Sequence, residues 1–455
     1  MDKPHFVRRW GVFGVCVLAA ATCWFSVHVL RLAPFALATA YDDVLWRVDA
    51  RWGPVASVSD ADGDGLADLI AVRDDGAASV QRLEVLSSLD GRALRTLWRA
   101  SGPDERVERF VALRSRSACE PTLVAFTVGT KGAPSRVEVV CASTGAPLER
   151  IAASPGATSV GCALACIPDL DGDGVDELAL GARRRGGALD RDEGAELALG
   201  ADVASHVSVL SGATRAELLR VDAPPGLSWI DVVDLAGVDQ HGAPLWVVQF
   251  RSAEQATAQL RAGLTSGGVL LPSRLGPIRA AGDVDGDGVP DLVLDTDRDV
   301  DGWRHTPASV ISGRTRARLF DLSFAGAPAY EGLTVGLGDL DGDGHADIGL
   351  GDPNFGRVSL FRSGMPGQTA RFATASLSLL VQADTHPRSM STETGCAIVY
   401  SGRTQRPIFG VWAPADSGVG LGRALLALPD ISGDGAPDVL LATGRELRAY
   451  RGPGR

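Results

Sequence analysis

Short apolar runs recur along the chain, each bounded by an acidic residue or a glycine: "LIAV" from Leu69, "LALGA" from Leu178, "LVLD" from Leu292, "IGLGD" from Ile348 and "VLLAT" from Val439. Runs of this length flanked by turn residues read as buried strands, because a helix needs a longer apolar stripe at a 3.6-residue period. Between them lies a second repeated pattern, strand, Ser/Gly/Thr turn, strand: "EVLSSLDGRALRTL" from Glu84, "EVVCASTGAPLERI" from Glu138, "SVLSGATRAELLRV" from Ser208, "SVISGRTRARLFDL" from Ser309 and "AIVYSGRTQRPIFG" from Ala397. The two patterns together predict an all-β chain built from four-stranded units.

A nine-residue acidic loop precedes each of the first set of runs. Positions one, three, five and nine carry Asp60, Asp62, Asp64 and Asp68 in the first copy, and Asp169, Asp171, Asp173 and Glu177 in the second. The third has Asp283, Asp285, Asp287 and Asp291, and the fourth Asp339, Asp341, Asp343 and Asp347. The fifth has Asp430, Asp434 and Asp438, with Ser432 at position three. Carboxylates this dense in a Gly-rich turn repel one another unless a hard cation lies among them, and calcium takes six to eight oxygen ligands. The backbone carbonyl of position seven is the natural further ligand: Leu66, Val175, Val289, His345 and Ala436. About five calcium sites are expected, the Ser432 site weakest because it lacks one formal charge.

A helix-loop-helix calcium site would need a bidentate Glu at position twelve. That place is held by Ala71, Leu180, Leu294, Leu350 and Leu441, so the loop joins two strands. A single Asp-Gly pair could mark no more than a hairpin turn. Five copies with one spacing argue for metal.

Two further units keep the strands without the loop. One runs from Val107 to Ala153; the other, from Trp229 to about Leu271, retains Asp234 but has Ala236 and Val238 at the next two places. Units of this size with four strands each predict a β-propeller. Seven blades are favoured, and the long stretch from Phe355 to Thr394 leaves eight open. The last unit, Leu421 to Tyr450, has only three strands, and Asp43 to Ala50 ("DVLWRVDA") matches the missing fourth. Its pairing would close the ring and cover an open edge.

The strings "GCALACIPDLDGDGVDELALGA", "GRALLALPDISGDGAPDVLLATG" and "GDLDGDGHADIGLGDPNFGRVSLF" resemble the FG-GAP (or VCBS-type) repeats of integrin α-subunit propellers and their bacterial relatives. The resemblance covers nearly everything after Asp42 and implies a propeller with calcium in inter-strand loops, used for extracellular adhesion or ligand binding. The two eroded units and Ser432 depart from it, and Phe355-Gly356 is the one clear Phe-Gly in place.

Composition adds three points. The net charge of −12 with scattered arginines excludes a nucleic-acid footprint, and five divalent ions would bring the charge to −2. Residues 10–30 carry no charged side chain and follow Lys3, Arg8 and Arg9, which predicts an N-in transmembrane anchor or a signal peptide over residues 1–40, with Ala38-Thr39-Ala40 as a cleavage site. Residues 41–455 then form one extracytoplasmic propeller, either anchored or secreted. Cys119, Cys141, Cys162, Cys166 and Cys396 lie beyond that segment; Cys119 and Cys141 are a candidate bridge, and buried thiols are the alternative.

No catalytic constellation is legible. The seven histidines show no ligand spacing on one element, and no nucleophile elbow or phosphate-cradling turn occurs. Asp176 and the run Asp295, Asp297, Asp299, Asp301 are unassigned; the run reads as a further cation loop or as a solvated surface. The expected function is a non-catalytic surface module binding a protein or glycan, with a carbohydrate-active lyase or hydrolase on the same scaffold as the alternative. The polar stretches 183–203 and 295–306 are expected on the partner-binding face. Oligomeric state is left open.

Overall fold

The structure is a computed structural model that describes residues 38–39, 44–74, 80–114, 122–131, 133–153, 157–184, 205–227, 229–239, 241–252, 256–264, 269–271, 277–294, 308–322, 333–352, 395–413 and 420–453. Alternating apolar runs and turns fold into seven antiparallel sheets, each made of four consecutive strands except where the ring closes. Blade 1 comprises Arg51–Val58, Asp68–Asp74, Gln81–Leu86 and Ala93–Arg99. Blade 2 begins at Glu105, blade 3 at Ala157, blade 4 at Trp229, blade 5 at Ile278, blade 6 at Leu333 and blade 7 at Ala424. The first strand of each blade is innermost, and each touches the first strand of the next, including blade 7 onto blade 1. The expected seven-bladed propeller is therefore the observed one. The long stretch after Phe355 connects the second and third strands of blade 6, Asp347–Asp352 and Cys396–Tyr400, and the described residues form seven blades.

Ring closure follows the expected exchange. Trp46–Asp49 pairs antiparallel with Glu446–Tyr450 in the register Trp46 to Ala449 and Asp49 to Glu446, supplying the fourth strand of blade 7. The Trp46 indole N–H donates to the carbonyl of Ser88 in blade 1 (2.9 Å), tying the closing strand to the next blade. Ala38–Thr39 also adds in parallel to the outer strand of blade 6, a pairing not expected from the sequence.

The core lies between blades. Seven apolar clusters occupy the seven blade-to-blade interfaces, for example Ile70, Val72, Leu83 and Val85 of blade 1 against Val107, Val124, Phe126 and Val128 of blade 2. Trp46, Trp52 and Leu69 pack against Leu428, Leu440 and Leu447 where blade 7 meets blade 1. Middle strands are buried on both faces, which is why they read as continuous apolar runs without polar alternation.

The Ser-Gly-x-Thr turns join the third and fourth strands. In blade 5 the Ser312 hydroxyl accepts the amide of Thr315 (3.2 Å), the Thr315 hydroxyl accepts that of Ala317 (3.3 Å), and the amide of Arg316 donates to the Ser312 carbonyl (2.8 Å). The fifth turn residue is left-handed: Gly91 and Gly145 at φ 72°, but Arg215 at 63°, Arg316 at 61° and Gln405 at 56°. A side chain in that region costs about 1–2 kcal/mol, offset by the roughly 0.4–1 kcal/mol that glycine loses through unfolded-chain entropy. Arg316→Gly, at an exposed position, is expected to stabilise the protein by about 0.5–1 kcal/mol. Chemical denaturation checks it; a loss of stability would refute the strain argument.

Candidate metal centres

All five acidic loops join the first and second strands of their blades, in blades 1, 3, 5, 6 and 7. The position-nine acid is also the first residue of the second strand, so its side chain is drawn inward with the sheet. Asp68, Glu177, Asp291, Asp347 and Asp438 are completely buried. Their oxygens are held by amides from two directions. In blade 6 the amides of Leu340 (2.8 Å) and Asp341 (3.3 Å) donate to one oxygen of Asp347, and the amide of Gly402 donates to the other (3.0 Å). The same latch recurs with Val284, Asp285 and Gly313 on Asp291, and with Ile431, Ser432 and Gly452 on Asp438. The turn glycine is required by contact: a Cβ on Gly402 would stand 2.1 Å from the carbonyl of Ala346. The two repeated sequence patterns are thus two halves of one fastening.

Positions one, three and nine converge. Carboxylate oxygens of Asp60, Asp62 and Asp68, of Asp169, Asp171 and Glu177, of Asp283, Asp285 and Asp291, and of Asp339, Asp341 and Asp347 lie within 4.8 Å of one another. Two oxygens on one calcium are separated by at most twice a bond of about 2.3–2.6 Å, so each group is compact enough to share an ion. An all-oxygen set of three carboxylates suits a hard cation such as calcium over zinc or copper. In blade 7, Ser432 leaves Asp430 and Asp438 without an acid at position three, and no such trio forms there.

Position five is not part of these trios but lies beside them: the carboxyl of Asp173 reaches that of Asp171, and the charge of Asp343 acts on Asp341. Asp173 accepts the Ser211 hydroxyl (2.9 Å), Asp343 accepts the Ser401 hydroxyl (3.4 Å), and the Arg314 and Arg451 guanidinium groups approach Asp287 (3.2 Å) and Asp434 (3.6 Å). One oxygen of each also takes the amide of position seven, namely Val175, His345, Val289 and Ala436, as Asp64 takes that of Leu66. In blades 3, 5 and 6 these carboxylates face the turn between the third and fourth strands, and in blade 7 the segment that follows the third strand, contacts that a linear pattern does not show.

The metal-free electrostatics are strained where the acid is buried. Burial pushes Glu177 up to about 7, with the charge of Asp171 adding to it, despite the amides of Leu170 and Asp171. Burial likewise raises Asp291 and Asp347 to about 6, aided by Asp285 and Asp341 respectively. Asp430 is lowered instead, chiefly by the amide of Gly435. For the raised acids the folded state holds protons more tightly than the unfolded chain. Their stabilising contribution is complete below the unfolded value and is lost as pH rises through 6 to 7. Metal-free protein is therefore expected to melt higher at pH 5 than at pH 8 by roughly 2–5 °C, while the increment conferred by calcium grows with pH. Scanning calorimetry after metal removal tests this; a metal-free midpoint that falls toward pH 5 contradicts it.

The unassigned acids also find places. Asp176, at position eight of the blade 3 loop, accepts the amide of Arg114 in blade 2 (3.0 Å) and the Cys166 thiol (3.2 Å). Burial pushes Asp234 of blade 4 up to about 6, the Ala236 amide and Arg114 opposing and Asp176 adding to the rise. Cys141, Cys162 and Cys166 are free thiols and Cys396 is buried, while Cys119 and the run from Asp295 to Asp301 lie outside the described residues. No helix among the described residues is long and apolar enough to cross a membrane, and residues 10–30 lie outside them.

The folded chain is a seven-bladed β-propeller with acidic loops at the joint of five blades. No family model and no curated protein matches the sequence. Among solved structures it is similar to the Dos1 propeller, at 9% identity and a TM-score of 0.44 over 89% of this chain and 79% of that one. A mutant of AofleA from Arthrobotrys oligospora shows 13% identity and a TM-score of 0.35, covering 68% and 81%. A Bacteroides caccae protein of unknown function shows 8% identity and a TM-score of 0.35, covering 73% and 94%.

Proposed function

We propose that the protein is a calcium-binding propeller of the FG-GAP type that acts outside the cytoplasm as a non-catalytic module for a protein or glycan partner, joined to the membrane through its amino-terminal segment or secreted. The observation that carries this reading is the repetition of one carboxylate trio at the same joint of four blades. A catalytic centre gathers different groups at one place, whereas identical sites spread around a ring serve the scaffold. Topology supports a division of labour between the two ends. The acidic loops and Ser-Gly turns occupy one end; the connections from Arg184 to His206, Leu294 to Ala308 and Asp352 to Cys396 all link second to third strands and leave from the other. The polar stretches 183–203 and 295–306 fall mostly outside the described residues; the strand ends that they connect lie at that second end. Replacing them with short turns should abolish binding to a glycan array or to cells while the calcium-dependent melting midpoint is kept. Unchanged binding would refute this assignment of the partner face.

The carbohydrate-active alternative would centre on Asp234, a carboxyl held near 6 with Asp176 in its field, values suited to general-acid work. Under the binding reading Asp234 is simply a half-buried acid, and Asp234→Asn should stabilise the protein at pH 7 by about 1–2 kcal/mol. Polysaccharide cleavage by the wild type that this substitution removes would favour the enzyme.

A further inference from the structure

We infer that the calcium sites of blades 5 and 6 fill as a coupled pair, with Ala346 and His345 as the connection; this rests on the calcium reading of the acidic loops. The two loops touch directly. The amide of Ala346, one residue before the buried ligand Asp347, donates to the carbonyl of Asp283, the first ligand of the blade 5 loop (2.7 Å). Next to it, Nδ1 of the His345 imidazole bonds the carbonyl of Val284 (2.9 Å), which requires the tautomer protonated on that nitrogen. The side chains agree: Val284 and Ala346 are buried in the same interface between blades 5 and 6, with Ile348 and Leu350.

These contacts give the coupling a direction. An ion in blade 5 fixes the backbone at Asp283 and Val284, which are the acceptors for residues 345 and 346. It thereby orders the segment leading into Asp347 before the blade 6 ion arrives. The second ion then meets less ordering entropy, so the coupling is positive. The blade 3 site has neighbours without an acidic loop, blades 2 and 4, so it is expected to fill independently.

The chain itself supplies an uncoupling substitution. Positions seven and eight are His345-Ala346 in blade 6 but Val289-Pro290 in blade 5, and position eight is also Pro437 in blade 7. Proline has no amide to donate, and Pro290 already packs against Gly237 of its preceding blade as Ala346 does against Gly282. The double substitution His345→Val and Ala346→Pro thus deletes both inter-loop hydrogen bonds while writing a loop sequence that this fold already accepts.

The test is a calcium titration of the metal-stripped full chain, with native mass spectrometry to count bound ions and calorimetry to read affinity. Asp341→Asn disables the blade 6 site. It is expected to remove one ion and to raise by about five-fold the calcium concentration that half-fills a second site. Asp171→Asn in blade 3 should remove one ion and shift no other. In the His345→Val, Ala346→Pro background, Asp341→Asn should also remove one ion only. Loss of a single ion by Asp341→Asn in the native background, with no second shift, overturns the coupling while leaving the calcium sites intact. A wild type that binds no calcium overturns the calcium reading itself, and that outcome appears before any variant is compared.

Discussion

Metal-stripped protein is expected to melt far below the calcium-loaded form, and on a scale comparable with its whole stability. At a free calcium concentration of a hundred times Kd, each site contributes about 2.7 kcal/mol. Four complete carboxylate trios, each filled to that degree, would therefore supply about 11 kcal/mol, against a typical total of about 5–15 kcal/mol for a folded domain. The physical source is local. Three carboxylates within 4.8 Å repel one another, and one member of each trio is completely buried and pushed toward neutrality. A divalent ion removes both penalties at once. Calorimetry with and without chelator at pH 7.5 reads the effect. An unchanged midpoint would mean that the trios are no more than acidic turns.

Asp347→Ala is expected to cost about 3–5 kcal/mol, and to do so even in chelator. The reason is separate from metal. The substitution leaves the amides of Leu340, Asp341 and Gly402 without their acceptor, and each orphaned buried donor costs about 1–3 kcal/mol. It also unfastens the acidic loop from the turn between the third and fourth strands of the blade. Asp341→Asn provides the contrast, since an amide oxygen can still accept the amide of Asp343 (3.2 Å). That variant should be near neutral without metal and should lose only the increment from its own ion and from any ion coupled to it. Urea denaturation of both proteins, in calcium and in chelator, separates the two roles. If Asp347→Ala were harmless in chelator, the latch would have no energetic weight.

The dual role of position nine explains why an acid stands there even in the loop with the poorest donor set. Asp438 keeps all three amide contacts although Ser432 has replaced the acid at position three. That loop offers an ion one carboxylate fewer while its fastening is whole. Blade 4 shows the further step. Asp234 and Asp239 each still accept an amide of their own segment, Ala236 and His241, but the loop has become an irregular hairpin with Val238 opposite Pro244.

Much of this was legible in the chain because repetition exposes what a single copy hides. The spacing of the five loops, the Ser-Gly turns, the eroded blades 2 and 4 and the closing strand near Trp46 all depend on near neighbours in sequence or on counting units. Such patterns survive in one dimension, since strand period, turn chemistry and ligand spacing are local properties. Even the missing fourth strand could be read, because an unpaired edge in the last unit demands a partner.

Other features depended on residues far apart along the chain. The position-five acids turn toward Ser211, Arg314, Ser401 and Arg451, which follow their loops by 17 to 58 residues, so the spacing that marked them as ligands did not show their partners. The short pairing of Ala38–Thr39 with blade 6 depends on where the chain passes on its way to blade 7. The contact between the loops of blades 5 and 6 exists only because neighbouring blades pack face to face. The sequence by itself determined the repeat, its strands and the carboxylates available to an ion. Only the tertiary structure decided which of those carboxylates meet, which are buried, and which loops touch, because burial and convergence arise when separate strands are brought together around a common axis.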